Sequence, residues 1–301
     1  MDRRKHIVAI VNPVSGTGNK AKLPRLIEEV AGGSEATVQV VTTTHAGHAH
    51  ELAAEAARQG CDVVAAVGGD GTVNEVGSAL CGTSTALAIV PCGSGNGLAR
   101  HLRIPMNTAR AVQLLASGGR VVRFDYCTAN GHPFFCTCGM GFDAQVSQRF
   151  ASEGTRGFIT YVKTAVSEYF KYSARQFTID IDGAVMTERA FIIALCNAAQ
   201  YGNNAFIAPR ATMQDGLVDM TVMHPFSIAE SPLIGARLFT RTLEQDRHVS
   251  IYRGKRIVVE REGDEVIHLD GDPLMMPARV EVVSHQQGIG IVVPADTAGD
   301  V

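Results

Sequence analysis

The chain has 301 residues, 46% of them hydrophobic and 19% charged, with a net charge of −3. That length suffices for two domains with separate cores, and so small a net charge gives no overall attraction to nucleic acid or to an anionic membrane. No apolar run approaches the ~18 residues that span a bilayer, and Met1–His6 enters a strand without the apolar core of a signal peptide, which argues for a cytoplasmic protein.

In chain order, His6–Val11 reads as a buried strand ending in the loop Asn12-Pro13-Val14-Ser15-Gly16-Thr17-Gly18, followed by a helical pattern at Leu23, Ile27 and Val30. Thr37–Val41 is a second strand, leading through Thr43 and Gly47 into an Ala-rich helix. The third, Asp62–Ala66, runs into Gly68-Gly69-Asp70-Gly71-Thr72-Val73-Asn74-Glu75 and a helix with Val73, Val76 and Leu80 on one face. A fourth, Ala86–Val90, ends at Gly93-Ser94-Gly95-Asn96-Gly97. After a helix from about Thr108 to Ala116 comes Arg120–Asp125. Strands alternating with helices imply a mostly parallel sheet covered on both faces, whose ligands sit beyond the carboxyl ends of the strands. Four successive strands end there in loops rich in glycine, hydroxyl or amide groups, which points to a nucleotide-phosphate site. Asp70 within such an anion cradle suits magnesium-assisted phosphoryl transfer, where a cation separates carboxylate from phosphate, or a tight βα turn with Asp70 as helix cap.

Beyond Asp125 the rhythm changes. One helix is expected from about Thr155 to Tyr172, with Phe158, Tyr161, Val162, Ala165 and Tyr169 on a face that suits either core packing or a membrane surface. Strands follow at Gln176–Ile181, Arg189–Asn197, Leu217–Met223, Val249–Ile251, Lys255–Glu260, Val266–Leu269, Arg279–Val283 and Ile289–Val293. The expected fold is an α/β N-terminal domain over 1–125 and an antiparallel β-sandwich-like domain over 126–301, with room for the last residues to pack back on the first. Two turns here carry acids: Asp215-Gly216, a common hairpin signal, and Asp270-Gly271-Asp272, where neighbouring carboxylates could accept a hydroxyl proton. The seven cysteines suit buried thiols rather than disulfides, and of the cluster His45, His48 and His50, the last two lie two apart at a helix start and point in different directions, against a metal site.

Assembled, these residues resemble the diacylglycerol kinase catalytic family, the soluble bacterial lipid kinases related to sphingosine kinases. The resemblance is carried by Asn12-Pro13 with Ser15-Gly16, Thr43 followed by Gly47-His48-Ala49, Gly68 to Thr72 with Asn74-Glu75, Gly93-Ser94-Gly95-Asn96, Asp215-Gly216-Leu217 and Asp270-Gly271-Asp272. It implies a first domain like those of phosphofructokinases and NAD kinases. It further implies ATP held by the loop Asn12, Pro13, Ser15 and Gly16, by Thr43, by Gly68, Gly69, Asp70, Gly71, Thr72 and Asn74, and by Ser94. A structural magnesium would sit at Asp215, with Thr212 and Leu217 giving backbone carbonyls. Asp272 would be the proton acceptor with Asp270 beside it. Asp70 would organise the catalytic magnesium, with Asp125 in the same acidic group, or would itself be the base as in the sphingosine kinase branch. Relatives commonly carry Glu at the position of Asp272 and an acid at that of Gly97, so the lipid, diacylglycerol or a sphingosine type, stays open. A kinase of a soluble substrate, as in NAD kinases, and a non-catalytic binding protein are the alternatives. The resemblance further implies peripheral association with the inner membrane face, no nucleic-acid partner, and leaves room for a homodimer.

Overall fold

A computed structural model describes residues 4–16, 23–32, 36–152 and 158–297. Its first elements are β1 Lys5–Val11, α1 Leu23–Gly32, β2 Ala36–Thr42, α2 His48–Arg58, β3 Val63–Gly68, α3 Asp70–Leu80, β4 Ala86–Pro91, α4 Gly97–His101, α5 Thr108–Gln113 and β5 Gly119–Ala129. There follow β6 His132–Phe134, β7 Thr137–Gly141, α6 Phe142–Ser152, α7 Phe158–Tyr169, β8 Arg175–Ile181, β9 Ala184–Ala190, β10 Ile192–Cys196 and β11 Val218–Met223. The last are α8 Ser231–Thr240, β12 Val249–Gly254, β13 Arg256–Glu260, β14 Glu265–Leu269, β15 Asp272–Met276 and β16 Arg279–Pro294. The chain divides into two compact units, Met1–Phe124 with Gln287–Val301, and Asp125–Gln286. It leaves the first inside β5 and returns to it inside β16.

In the first unit β2, β1, β3 and β4 run parallel in that order, and the C-terminal half of β16 joins β4 in parallel. Every residue of β3 and of β4 is buried, as a strand covered on both faces requires, and both are built from Val, Ala, Ile and Leu with hardly a polar side chain. One face packs Ile7, Ala9, Val11, Val63, Ala65 and Val67 against Ile27, Ala111 and Val112. The hydrophobic effect at roughly 25 cal/mol per Å2 makes that burial the main favourable term.

The second unit contains a six-stranded antiparallel sheet, β12-β11-β10-β7-β14-β15, and antiparallel strands β13, β8 and β9 joined by the N-terminal half of β16. Phe134, Met140, Phe177, Leu195, Met220 and Val282 are among the buried side chains of one apolar cluster that draws on both sets of strands, which makes the unit a sandwich. The structure adds β6, β7, β15 and most of β9 to the strands read from sequence, and departs from that reading in four further places. Arg189–Asn197 is two strands in different sheets, because Phe191 leaves the ladder to donate its N–H to Met223 O and to accept from Phe142 N–H. Arg279–Val283 and Ile289–Val293 fuse into β16, whose polar middle looks like a turn in sequence but stays extended on either side of a left-handed Gln287. Helices α6 and α8 carry too weak an apolar stripe to be read from sequence. The expected helix from Thr155 starts in residues outside those described; α7 is seen from Phe158. Its Ala165 and Tyr169 pack inward against Phe142, Phe191 and Phe226, which settles the core reading for those two.

All seven cysteines are free, and Cys61, Cys127, Cys136, Cys138 and Cys196 are buried, with burial pushing the Cys127 and Cys196 thiols well up.

Candidate active site

The loops that follow β1, β2, β3 and β4 interlock at the carboxyl edge of the first unit's sheet. Asn12 Oδ1 accepts from Val14 N–H in an Asx turn, and its Nδ2 donates to Thr72 Oγ1 at 3.0 Å, joining the first loop to α3. Ser15 Oγ donates to Asn12 O at 3.2 Å. Gly16 sits at φ 72, and a Cβ there would lie 1.8 Å from Cys92 O, so no side chain can enter. A Cβ on Gly93 would lie 2.7 Å from Gly69 Cα, so the third and fourth loops meet backbone to backbone. Thr43, buried, donates its N–H to Val11 O. Ser94 is exposed on the fourth loop.

Asp70 is the tie between the last two of these loops. Its Oδ2 accepts from Asn96 N–H at 2.8 Å and its Oδ1 from Gly97 N–H at 2.7 Å, at the start of the single turn α4. A carboxylate there satisfies backbone donors that the helix leaves orphaned. Asn96, itself left-handed, also accepts from Gly93 N–H and donates to Gly93 O, closing the loop on itself. Glu75 does similar work one strand over: Oε1 accepts from Gly47 N–H at 3.0 Å and Oε2 from Ala49 N–H at 3.1 Å, capping α2 through a residue 26 positions away. Sequence reading noted Glu75 as part of a motif and missed this role, since no local cap signal exists for an acid on another helix. His48 Nδ1 accepts from Thr44 N–H, and the His45 and His48 rings stack at 4.7 Å. Gly68 ends β3, Gly69 caps α3, and Gly71, Thr72 and Asn74 lie in its first turns, so the expected glycine turn is a direct strand-to-helix junction; Pro13 is the exposed corner of the first loop.

The second unit holds the other expected carboxylates at two separate turns. Asp270 and Gly271 are both left-handed (φ 52 and 93), a two-residue type I′ hairpin between β14 and β15. The Asp270 carboxylate accepts from Phe135, Cys136 and Thr137 N–H at 2.9, 2.7 and 3.1 Å, clamping the hairpin to the start of β7. Asp272, first residue of β15, is exposed. At the 212–217 turn, Asp215 Oδ1 accepts from Leu217 N–H at 3.0 Å, and Arg253 ion-pairs with Asp215 and, at 2.9 Å, with Asp219. Burial raises the Asp219 carboxyl above its ordinary range, against the pull of Arg253. A divalent cation taken up by Asp215 with the carbonyls of Thr212 and Leu217 would compete with this guanidinium for the carboxylate. Asp125, fully buried, belongs to the same turn: its Oδ2 accepts from Gly216 N–H at 2.7 Å. Asn197, also fully buried, donates to the carbonyls of Asp125 and Phe135 and so links the two acid-bearing regions; nothing in its sequence neighbourhood marks it.

Residues 6–129 match the model of the diacylglycerol kinase catalytic domain, and residues 136–289 that of the YegS C-terminal NAD kinase beta sandwich-like domain. A diacylglycerol kinase of Mycobacterium tuberculosis (strain H37Rv) is 28% identical over 288 residues, 92% of each chain. One of Bacillus subtilis (strain 168) is 27% identical over 299 residues, 96% of each. The solved structure of a diacylglycerol kinase from Bacillus anthracis str. Sterne superposes with a TM-score of 0.77 over 99% of this chain and 100% of that one, at 22% identity, a likeness of fold.

Proposed function

We propose, starting from a chain that belongs to the diacylglycerol kinase catalytic-domain family, that this protein transfers the γ-phosphate of ATP to the hydroxyl of a lipid, diacylglycerol foremost. The observation that carries the reading is the interlocked edge of the first unit, where Gly16 and Gly93 leave no room for a side chain and Gly69 and Gly95 little, so that glycine-rich loops of the kind that cradle a triphosphate pack backbone to backbone. Asn12, Ser15, Thr43, Thr72 and Ser94 supply amide and hydroxyl groups around it. Asp70 orders the third and fourth loops from within.

In the transfer, the lipid hydroxyl oxygen bonds to the γ-phosphorus, the bond from that phosphorus to the bridging oxygen breaks, ADP leaves and the hydroxyl proton passes to a base. Asp272 is the better base of the hairpin pair. It is exposed, whereas Asp270 spends both oxygens on three backbone donors and serves to hold the turn. Asp70 is a weaker choice for the same reason, both of its oxygens accepting backbone N–H groups. Magnesium carried with ATP would neutralise phosphate oxygens as charge develops. No step is assigned to a cation at Asp215, which pairs with Arg253.

A lipid substrate calls for a surface able to meet a membrane. The outward side of α7 offers Val166 and, just past its end, Phe170, 53% and 71% exposed, with Lys163 and Lys171 beside them. Among the described residues no helix is long and apolar enough to cross a bilayer.

The test is ADP release with dispersed diacylglycerol, sphingosine or NAD as acceptor, for the parent and for Asp272→Asn. We expect turnover on a lipid and a loss of ~10²–10⁴-fold in kcat for the variant at unchanged KM for ATP. Phosphorylation of NAD with none of either lipid would overturn the lipid assignment. An Asp272→Asn variant at parental kcat would move the base elsewhere.

A further inference from the structure

Behind the Asp270-Gly271 hairpin lies a polar chain that the proposed chemistry does not use. Tyr201 donates its hydroxyl to Asp143 Oδ2 at 2.6 Å, and His268 Nε2 meets the same oxygen at 2.8 Å. On the other side of the ring, Gly271 N–H donates to His268 Nδ1 at 3.3 Å. His268 is 1% and Asp143 4% exposed, so both have left water for each other. Burying such a pair is costly unless the geometry serves something.

The surrounding backbone is shaped to allow it. His268 in β14 stands opposite Gly139 in β7, and a Cβ on Gly139 would lie 2.1 Å from His268 Nε2 and 2.4 Å from Asp143 Oδ2. Only glycine lets the ring lie across β7 and reach α6. Asp143 sits in the first turn of α6, where the helix dipole favours a carboxylate. At the other end, Tyr201 belongs to a loop in which Gly202, Asn203 and Asn204 are all left-handed or otherwise positive in φ. Strand alternation puts His268 on one face of the β14–β15 ladder, while Asp272, paired with Leu269, points to the other. The hydrogen-bonded chain approaches Asp272 through the backbone of the turn, at Gly271.

We infer that Tyr201, Asp143 and His268 are positioning residues that hold the Gly271 amide and thereby set the direction in which Asp272 is presented to the substrate hydroxyl. Asp270 fixes where the hairpin docks, through three bonds to the 135–137 backbone; His268 holds the Asp270–Gly271 peptide, one residue before Asp272. The inference rests on the reading of Asp272 as proton acceptor.

Tyr201→Phe tests it with the least disturbance, since it removes one hydroxyl from a half-buried side chain. His268→Asn keeps an acceptor near the Nδ1 position and gives up Asp143, whereas His268→Gln can reach Asp143 and leaves Gly271 without an acceptor. Measured as ADP release with dispersed diacylglycerol, kcat is expected to fall roughly 10- to 100-fold in His268→Gln, the order that about 1 Å of misplacement costs. The fall should be smaller in Tyr201→Phe and His268→Asn, with KM for ATP unchanged in all three. In an Asp272→Asn background, Tyr201→Phe and His268→Gln should cost nothing more, because there is no longer a base to aim. Equal further losses in that background, or parental kcat in both single variants at parental Tm, would overturn the relay. Should Asp272→Asn alone turn over at the parental rate, the reading of the base falls first and the relay falls with it.

Discussion

Replacing Asp70 by Asn probes whether this residue acts on phosphate chemistry directly or through the loops it ties together. The carboxylate accepts two backbone N–H groups at 2.8 and 2.7 Å, and hydrogen bonds to charged acceptors contribute about 1.5–3 kcal/mol each. Asparagine keeps one acceptor and turns an NH2 toward the other donor, so one bond is lost and the charge disappears. Because Asp70 is only half-buried, we expect about 2–3 kcal/mol of destabilisation rather than the sum of both bonds. At about 2–4 °C per kcal/mol, that lowers Tm by about 4–12 °C. Nucleotide affinity should fall with it, as the fourth loop loosens. The assays are thermal unfolding, binding of a fluorescent ATP analogue and turnover, applied in parallel. Gly95→Ala is the companion variant, since its Cβ would stand 2.8 Å from Asp70 Oδ2 and disturb the same tie while leaving the carboxylate in place. An Asp70→Asn protein that melts with the parent and binds ATP normally, yet is inactive, would refute the structural account and make Asp70 a direct participant.

Arg253→Met should cost about 1–3 kcal/mol, less than a fully buried pair because Arg253 is 42% exposed, and millimolar magnesium should restore part of that Tm while leaving the parent's unchanged. A parent that loses Tm on chelation, beside a variant indifferent to magnesium, would show a resident cation at Asp215 instead. Gly139→Ala should cost about 3 kcal/mol or more by driving His268 from Asp143, read by urea unfolding; an unchanged midpoint would mean that β7 yields freely. The His268 ring is pushed down by burial, but Asp143, Asp270 and Asp272 outweigh this and raise its pKa above 6.5. Folding then favours the ring's charge, a stabilisation fully present below about 6.5 and lost as pH rises through the higher folded value, whereas the bond from Gly271 N–H needs Nδ1 unprotonated and so forms as pH rises through that same value. Tm of the parent should decline across that window relative to His268→Gln, and parallel curves for the two would refute the assignment.

Much of the first unit could be read from its residues because its physics is local and repeated. Val63–Gly68 has no polar side chain and so reads as a strand covered on both faces, though of the glycines after it Gly69 caps α3 and Gly71 already lies in its first turn. The four loops could be assigned to one edge because parallel strands all end on the same side. The Asp270-Gly271 hairpin was legible for the same reason, since an Asp-Gly pair between apolar runs encodes its own backbone shape. Sequence could not say what the acids do. Asp70, Glu75, Asp270 and Asp215 all satisfy donors fixed by tertiary structure, some of them 26, 27 or 135 positions away, and no local pattern specifies such partners. The same holds for Tyr201, Asp143, Gly139 and His268, unremarkable in sequence because a lone buried histidine looks the same whether it fills space or holds a turn. Their meeting depends on β7 and β14 becoming neighbours, with Gly139 opposite His268, and that register is set by the whole sheet.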